Sequence, residues 1–349
     1  MSNTENNSTP IGKLGKFGLI KHITSGTRHK NPSTVHGIGD DAAVVDSGGK
    51  LMLITTDLFL EGIHFNLMYT PLKHLGYKAV IRGISDIYAM NGTPEQILVA
   101  LGLSSRFTVE QVDEIYEGIG SACDKYDVDL AGGDTTSSYT GLTISVTATG
   151  TVGKDMIIKR NTAGTGDIVC VTGDFGAAYM GLQLLERERK LFEKEKTIQP
   201  DLSGYEYVIG RQLKPEFPCE VLAELGENDI VPTAMIDVSD CLASDLMHIC
   251  KLSGTGCRIY SEKIPIDYET AKIAEEFNID PVTPALNGGE DYELLFTVKA
   301  GLIEKIGRIR DVKVIGYMTQ PESGYTLVGQ GGTEIAISAQ GWTTDQELS

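Results

Sequence analysis

Acidic turns at the ends of predicted strands are the feature that most constrains this chain. The first is Gly39-Asp40-Asp41, which precedes an apolar strand, and Asp57 follows at the end of the next strand. Carboxylates at close range disfavour each other's ionisation, so a bound cation would reconcile them. The alternative is ordinary turn chemistry, because Gly supplies positive φ and Asp bonds its own backbone. This stretch alone leaves both interpretations open.

The same theme recurs along the chain, which favours the metal interpretation. Carboxylates at predicted strand ends or helix starts are Asp40, Asp41, Asp57, Asp86, Asp134, Asp237 and Asp240. We interpret residues 132–135 as a second glycine-aspartate turn and residues 288–291 as a further acidic turn. Hard oxygen ligands without a His or Cys cluster predict Mg²⁺, which suits a nucleoside triphosphate. Arg160 and Lys159 are candidates for direct phosphate contacts, although a loop arginine is more often solvated.

The charge balance limits the partners that the chain can have. Its 48 acidic and 30 basic residues give a net charge of −18, which opposes binding to a nucleic-acid backbone or an anionic membrane. No basic segment precedes an apolar core, and no apolar run could span a bilayer, so we expect neither a signal peptide nor a membrane span. The six cysteines contain no C-x-x-C pair, which favours reduced, buried thiols in a cytoplasmic protein.

The order of predicted elements indicates an α/β fold with mixed sheets flanked by helices. A length of 349 residues favours two domains over one. We predict a disordered tail over residues 1–10, an N-terminal α/β domain over 11–153 and a C-terminal α/β domain over 154–349.

Two helix starts are predicted from capping residues. Thr108 and Gln111 form the pattern of a capping box, which predicts a helix over 109–126 with one apolar stripe. Asp240 is a candidate cap for a helix over 242–252.

Three nucleotide-binding motifs can be set aside. Residues 37–42 fit the dinucleotide fingerprint only loosely, since their two aspartates would repel a pyrophosphate. Residues 174–176 spell Asp-Phe-Gly, but no His-Arg-Asp loop of a protein kinase precedes them. The chain also contains no G-x-x-x-x-G-K-[ST] loop.

A set of short motifs in chain order resembles the thiamine-monophosphate kinase family. The motifs are Gly39-Asp40-Asp41, Thr55-Thr56-Asp57 with Glu61-Gly62-Ile63-His64-Phe65, Ser85-Asp86, Gly132-Gly133-Asp134-Thr135, Asp237-Val238-Ser239-Asp240, Gly288-Gly289-Glu290-Asp291-Tyr292 and Gly341-Trp342. The resemblance implies the aminoimidazole-ribonucleotide synthetase-like fold, in which the N-terminal domain binds ATP and metal and dimerises through its sheet. It also implies a homodimeric enzyme that uses ATP and several Mg²⁺ ions to phosphorylate thiamine monophosphate to thiamine diphosphate.

The resemblance further implies a role for each residue that matches a family motif. The implied metal ligands are Asp41, Thr56, Asp57, Asp86, Asp134, Asp237 and Asp240, of which Asp57, Asp86 and Asp134 form the catalytic set. The implied ATP contacts are Tyr116, Gly133, Arg160 and Ser239. The implied substrate contacts are His64, Glu290 and Trp342.

Single residues of this set have simpler interpretations when each is taken alone. His64 could be a satisfied polar residue beside Phe65, Tyr116 could face the core, and Trp342 could anchor the C-terminal core. Cys241 also departs from the family pattern, which has glycine there, so the backbone geometry at that turn is open.

The implied acceptor is already an anionic oxygen, so the reaction needs no general base. We therefore expect direct in-line transfer that relies on positioning and charge neutralisation. One alternative is another ATP-dependent member of the superfamily, such as a ribonucleotide cyclase, a selenophosphate synthetase or a hydrogenase-maturation protein. Another is a non-catalytic acidic protein that binds metal.

Overall fold

Two β-sheets flanked by helices form the protein in the computed structural model, which describes residues 14–196 and 200–338. The strands of the first sheet are β1 (Thr34–His36), β2 (Ala43–Asp46), β3 (Leu51–Leu60), β4 (Thr93–Leu103), β5 (Asp129–Ser137) and β6 (Thr143–Val152). They run in the order β1-β2-β3-β6-β4-β5. Neighbours are antiparallel except β4 and β5, which are parallel.

The second sheet follows in the sequence. Its strands are β7 (Ile168–Thr172), β8 (Ala234–Val238), β9 (Gly256–Tyr260), β10 (Glu293–Val298), β11 (Val312–Thr319), β12 (Tyr325–Val328) and β13 (Glu334–Ala336). They run in the order β13-β12-β9-β11-β7-β10-β8, and only β12 and β9 pair in parallel. The prediction of a mixed α/β fold is therefore confirmed. The predicted domain boundary at residue 153 falls in the connection between the two sheets.

The helices cover the sheets and connect their strands. They are α1 (Gly15–Thr24), α2 (Leu72–Ala89), α3 (Val109–Tyr126), α4 (Ala177–Lys194), α5 (Glu206–Leu213), α6 (Cys219–Glu227), α7 (Leu242–Ser253), α8 (Tyr268–Glu276), α9 (Val282–Asn287) and α10 (Ile303–Ile306). Short 3₁₀ helices add Ser261–Lys263, Ala300–Leu302, Pro321–Ser323 and Gln330–Gly332. Within the described ranges, no helix is both long and apolar enough to cross a membrane.

Helix α2 lies between the two sheets, where it contacts β3, β4 and β6 of the first and β8 of the second. It also packs closely on α3, because glycines stand at the crossing. A Cβ at Gly76 would lie 2.0 Å from the carbonyl oxygen of Ile115, and one at Gly118 would lie 1.8 Å from that of Lys73. Such distances exclude a side chain at either position, so α2 is held firmly between its neighbours.

The capping prediction for α3 is confirmed. The Thr108 side chain accepts a hydrogen bond from the Gln111 backbone N–H, and the Gln111 side chain accepts one from the Thr108 N–H. Helix α3 spans the predicted range.

The predicted turn at residues 132–135 is wrong. These residues lie inside β5, in parallel register with β4. A Cβ at Gly133 would lie 1.8 Å from the carbonyl oxygen of Val99. Glycine therefore marks a close approach of two backbones here and not a chain reversal.

The prediction that Asp240 caps α7 is also wrong. The cap is Cys241, whose Sγ accepts a hydrogen bond from the Ser244 backbone N–H at 3.4 Å. The φ of Cys241 is 177°, an extended conformation that any residue adopts, so this position does not require the family's glycine.

Candidate active site

Three carboxylates from separate elements meet at the junction of the two sheets. Asp41 lies in the loop before β2, Asp86 on α2 and Asp237 on β8. One oxygen of each lies within 4.8 Å of the other two. The structure thus brings together three of the predicted metal ligands, which we call the acidic cluster.

Burial and mutual repulsion raise the pKa values of these three carboxyl groups. Burial is the largest cause for Asp237, whose pKa rises to about 7 with the charge of Asp41 adding to it. Burial and the charge of Asp57 raise the pKa of Asp86 well above its usual value. Burial raises the pKa of Asp41 to about 6, although Arg160 opposes it. A cation bound among them would reverse these shifts, so the donor set fits a divalent metal.

Hydroxyl groups from neighbouring residues hold two carboxylates of the acidic cluster in place. Thr55 Oγ1 donates to Asp86 Oδ2 at 2.5 Å, and Ser85 Oγ donates to Asp237 Oδ2 at 2.7 Å.

Asp41 is held by the predicted ATP contact Arg160. The Nε of Arg160 donates to Asp41 Oδ2 at 2.8 Å, and its Nη2 donates to Asp41 Oδ1. Its Nε also lies 3.9 Å from Asp40 Oδ1, so both aspartates of the first acidic turn face Arg160.

Asp57 lies on β3 beside this cluster and is bound on one side only. Arg82 Nε donates to Asp57 Oδ1 at 2.9 Å. The second oxygen, Oδ2, is buried and has no hydrogen-bond partner in the described part of the chain. A buried carboxylate oxygen without a partner is costly, and a metal ion at this position would satisfy it.

Asp240 lies outside the acidic cluster. Both of its oxygens accept hydrogen bonds at 2.6 Å from Lys16 Nζ on α1. The preceding Ser239 donates from Oγ to Asp237 Oδ1 at 3.4 Å. Its carbonyl oxygen accepts a hydrogen bond from the Glu290 N–H at 2.9 Å, so the two acidic turns of the second half pack directly on each other.

A cavity of about 380 Å³ lies next to these turns and contains two of the predicted substrate contacts. His64 and Glu290 both line it. His64 stacks on Phe59 with ring centroids 5.6 Å apart, and burial followed by the charge of Arg82 lowers its pKa, which favours a neutral imidazole.

Glu290 is charged in this cavity because Lys78 reaches it. Lys78 Nζ donates to Glu290 Oε2 at 2.8 Å and to the Gln212 carbonyl oxygen at 2.7 Å. Burial acts to raise the pKa of Glu290, but Lys78 and Arg82 outweigh it and lower that pKa. The φ of Glu290 is 66°, a strained conformation for a residue with a side chain, as is common at binding sites.

Tyr116, Gly133 and Asp134 meet at a different place. They line an open groove of about 530 Å³ along β5, whose nine residues are all exposed. The strand register places Gly133, Val99, Val146 and Asp57 in one row across the sheet. Three strand spacings separate Asp57 from this edge, about 14 Å.

The remaining predicted ligand, Thr56, lies on the outer face of the first sheet. Its Oγ1 is 3.0 Å from Thr147 Oγ1 in an exposed position. Asp57 is the next residue and faces α2, because successive side chains alternate across a strand. Trp342 lies outside the described residues.

The sequence motifs do not indicate Lys78, Arg82 or Lys16 as residues of the site. Lys78 and Arg82 precede Asp86 on α2 by eight and four residues, so helical spacing was the signal that places them on the face of Asp86. For Lys16 no local signal exists, since its partner Asp240 is 224 residues away.

Comparison with known proteins identifies relatives over nearly the whole chain. The family described as AIR synthase related protein, N-terminal domain, matches residues 39–152. The thiamine-monophosphate kinase of Aquifex aeolicus is 35% identical over 287 residues, which are 82% of this chain and 87% of that protein. The same enzyme of Bacillus subtilis is 35% identical over 82% of this chain and 84% of its own length. That of Buchnera aphidicola subsp. Schizaphis graminum is 32% identical over 95% and 98%.

Solved structures agree with this relationship. AaThiL complexed with AMPPCP and TMP has a TM-score of 0.82 and 31% identity, covering 97% of this chain and 100% of that one. The thiamine-monophosphate kinase of Stenotrophomonas maltophilia has a TM-score of 0.71 and 27% identity, covering 88% and 93%. The HypE–HypF complex, at 18% identity and a TM-score of 0.68 over 92% and 98%, shares the fold alone. The chain therefore belongs to the thiamine-monophosphate kinase family, as its motifs predict, and has the fold of the AIR synthase-related proteins.

Proposed function

We propose that this protein transfers the γ-phosphoryl group of ATP to thiamine monophosphate, which yields thiamine diphosphate and ADP. The observation that carries the proposal is the acidic cluster beside a cavity that His64 and Glu290 line. A solved relative is described as a complex with AMPPCP and TMP, which are the kinds of ligand that such a pair of sites would take.

We propose Mg²⁺ as the cation, held by Asp41, Asp86, Asp237 and the free oxygen of Asp57. All of these donors are oxygens, the ligands that Mg²⁺ prefers. Bound there, Mg²⁺ would neutralise charge on the transferred phosphoryl group. Asp240 is a further ligand only when the Lys16 ammonium leaves it.

The protein's own residues position the reactants. Thr55 and Ser85 fix the carboxylates of the acidic cluster, and the Lys78–Glu290 ion pair fixes one wall of the cavity. The acceptor phosphate is anionic near neutral pH, so it attacks without a general base, and no phosphoenzyme is needed. His64 is neutral and lines the cavity, so its proposed role is contact with the substrate and not proton transfer.

The test is release of ADP by the purified full chain in Mg²⁺ and ATP, with and without thiamine monophosphate. We expect release that depends on the acceptor, and Asp86→Asn should lower kcat by at least about a hundredfold. Asp245→Asn is a matched control, because Asp245 is also a buried aspartate with a raised pKa but its oxygen contacts the Cys241 N–H. Activity without the acceptor dependence, or full activity in Asp86→Asn, contradicts the proposal. A panel of other acceptors separates it from the other ATP-dependent members of the superfamily.

We further propose a cytoplasmic homodimer in which a second copy completes the ATP site. Support comes from the edge strand β5, which carries Asp134 and Gly133 yet lies about 14 Å from Asp57. Leu58, Leu98 and Leu130 are exposed on this sheet, each by more than two-fifths, and an exposed edge with apolar side chains is suited to pairing with another chain. In such a dimer, Asp134, Gly133 and Tyr116 of one copy serve the acidic cluster of the other.

Mixed dimers test this arrangement. A chain with Asp134→Asn and a chain with Asp86→Asn should each be inactive, and their mixture should regain about a quarter to a half of the activity, because one site per heterodimer is intact. Native mass spectrometry shows whether the two chains have exchanged subunits to form heterodimers. If heterodimers form and the mixture stays inactive, the sites are not shared between copies.

A further inference from the structure

Arg82 lies between the acidic cluster and the cavity, on the face of α2 that joins them. Lys78 reaches the cavity one turn before it, and Asp86 enters the acidic cluster one turn after it. Residues four apart on a helix are neighbours, about 6 Å apart along the axis. Arg82 therefore stands on α2 between the residue that lines the cavity and the residue that enters the acidic cluster.

The positive charge of Arg82 acts on both sites. Burial is the larger cause of the lowered pKa of His64, and the charge of Arg82 adds to it. Burial acts to raise the pKa of Glu290, and the charges of Lys78 and Arg82 lower it. On the other side its Nε contacts Asp57 at 2.9 Å. An aromatic platform supports it, since Arg82 lies 5.1 Å from the ring centroid of Phe59, which is buried and stacks on His64.

Arg82 also has donors to spare, whereas the other cations of the site are engaged. Lys78 donates to Glu290 and Gln212, and Arg160 uses two nitrogens on Asp41. Arg82 uses only Nε, and neither of its Nη atoms has a hydrogen-bond partner among residues 14–196 and 200–338. Its side chain is 18% exposed, so these donors are open to a ligand.

A second unsatisfied group lies in the same place. Tyr292 is fully buried, and its hydroxyl has no hydrogen-bond partner in the described ranges. The charges that act on it are those of Glu290, Arg82, Asp57 and Asp237. A buried hydroxyl without a partner indicates a ligand atom or a water that completes the site.

We propose that the Nη donors of Arg82 bind the acceptor phosphate of the substrate and hold it between the cavity and the acidic cluster. This inference rests on the proposed kinase function and adds a residue to it. A guanidinium suits the task, because its planar fork binds phosphate through two parallel hydrogen bonds and stays charged at every physiological pH. The Asp57 carboxylate keeps the fork aligned through Nε, while its own Oδ2 has no hydrogen-bond partner among the described residues.

The test compares two ligands that differ only in the phosphate. Isothermal titration calorimetry of the full chain, in Mg²⁺ and a non-hydrolysable ATP analogue, gives Kd for thiamine monophosphate and for thiamine. In Arg82→Gln we expect the Kd for thiamine monophosphate to rise about ten- to a hundredfold, which is the size of a charge-assisted hydrogen-bond pair, and the Kd for thiamine to stay the same. Arg258→Gln is the matched control, because Arg258 also pairs with a carboxylate, Glu334, but on the far sheet; both Kd values should remain as in the wild type.

Arg82→Lys is the control for a folding defect, because it keeps a positive charge beside Asp57. It should bind the ATP analogue as the wild type does while losing part of the preference for thiamine monophosphate over thiamine. An unchanged preference in either folded variant overturns the inference. The inference is also overturned if a variant loses as much affinity for the ATP analogue as for thiamine monophosphate, since Arg82 would then act only through Asp57. Failure of the wild type itself to bind thiamine monophosphate contradicts the proposed function instead.

Discussion

Replacing Asp237 by asparagine should stabilise the metal-free protein at alkaline pH while removing its activity. Asp237 is 2% exposed, and burial with the nearby charge of Asp41 raises its pKa from 3.8 to about 7. A folded-state pKa above the unfolded value means that the carboxyl group adds stability below pH 3.8 and loses it as pH rises through 7. The full rise corresponds to about 4 kcal/mol, because each tenfold step is worth about 1.4 kcal/mol. Asparagine still accepts the Ser85 hydrogen bond, so about 1–4 kcal/mol should be gained at pH 8.

Thermal unfolding at pH 5 and pH 8, in chelator and in excess Mg²⁺, measures this effect. In chelator, Asp237→Asn should unfold a few degrees above the wild type at pH 8 and show a smaller gain at pH 5. Mg²⁺ should stabilise the wild type more than the variant, because only the wild type offers the full donor set.

Asp167→Asn is a control of opposite sign. Burial acts to raise the pKa of Asp167, but Lys299, Gly164 and Thr233 outweigh it and lower that pKa, so its charged form stabilises the fold above pH 3.8 and the loss appears as pH falls. Its replacement should lower the unfolding temperature at pH 8, with or without Mg²⁺. Equal gains for Asp237→Asn at both pH values, or a loss at pH 8 in chelator, refute the reasoning.

Three further variants test the framework of the site. Gly133→Ala places a Cβ 1.8 Å from the Val99 carbonyl oxygen, so it should lower the unfolding temperature and weaken ATP-analogue binding in calorimetry; wild-type values for both contradict the close approach of β4 and β5. Lys78→Met leaves the buried charge of Glu290 without its partner and should cost about 3 kcal/mol in urea unfolding, and adding Glu290→Gln should recover part of that loss, whereas additive losses argue against the ion pair. Thr108→Ala removes the cap of α3 and should cost about 1 kcal/mol, measured by the same unfolding; no change would show that the capping box is dispensable.

Local signals in the sequence predicted the regular parts of the fold well. The capping box at Thr108 and the 18-residue helix α3 follow from spacing alone, because a cap and an apolar stripe are set by residues close in sequence.

Local patterns in the sequence predict no helix or strand over residues 200–233 or 255–287. Helices α5, α6 and α8 lie there, and they are only eight or nine residues long, too short for a clear period. The turn predicted at Gly133 failed for another reason, since glycine serves both reversals and close approaches, and only the neighbouring strand decides between them.

For the candidate site as well, local patterns predict single residues but not how these residues come together. Asp41, Asp86 and Asp237 could be found as acidic residues at element ends, but their meeting depends on contacts between residues almost 200 positions apart. The pairing of Asp240 with Lys16 and of Asp57 with Arg82 depends on tertiary packing, which no local pattern records.

One rigid helix aligns both halves of the proposed reaction. Lys78, Arg82 and Asp86 follow each other at one-turn intervals on α2, over about 12 Å of helix axis. The glycine crossing with α3 and the contacts with both sheets hold that helix in place. A phosphoryl transfer that needs no general base depends on alignment and charge, and side chains on a packed helix hold their positions more closely than side chains on loops. Along α2 the cavity comes first, Arg82 second and the Asp86 carboxylate third. In the proposed reaction, this order gives the acceptor phosphate one direction in which to approach the acidic cluster.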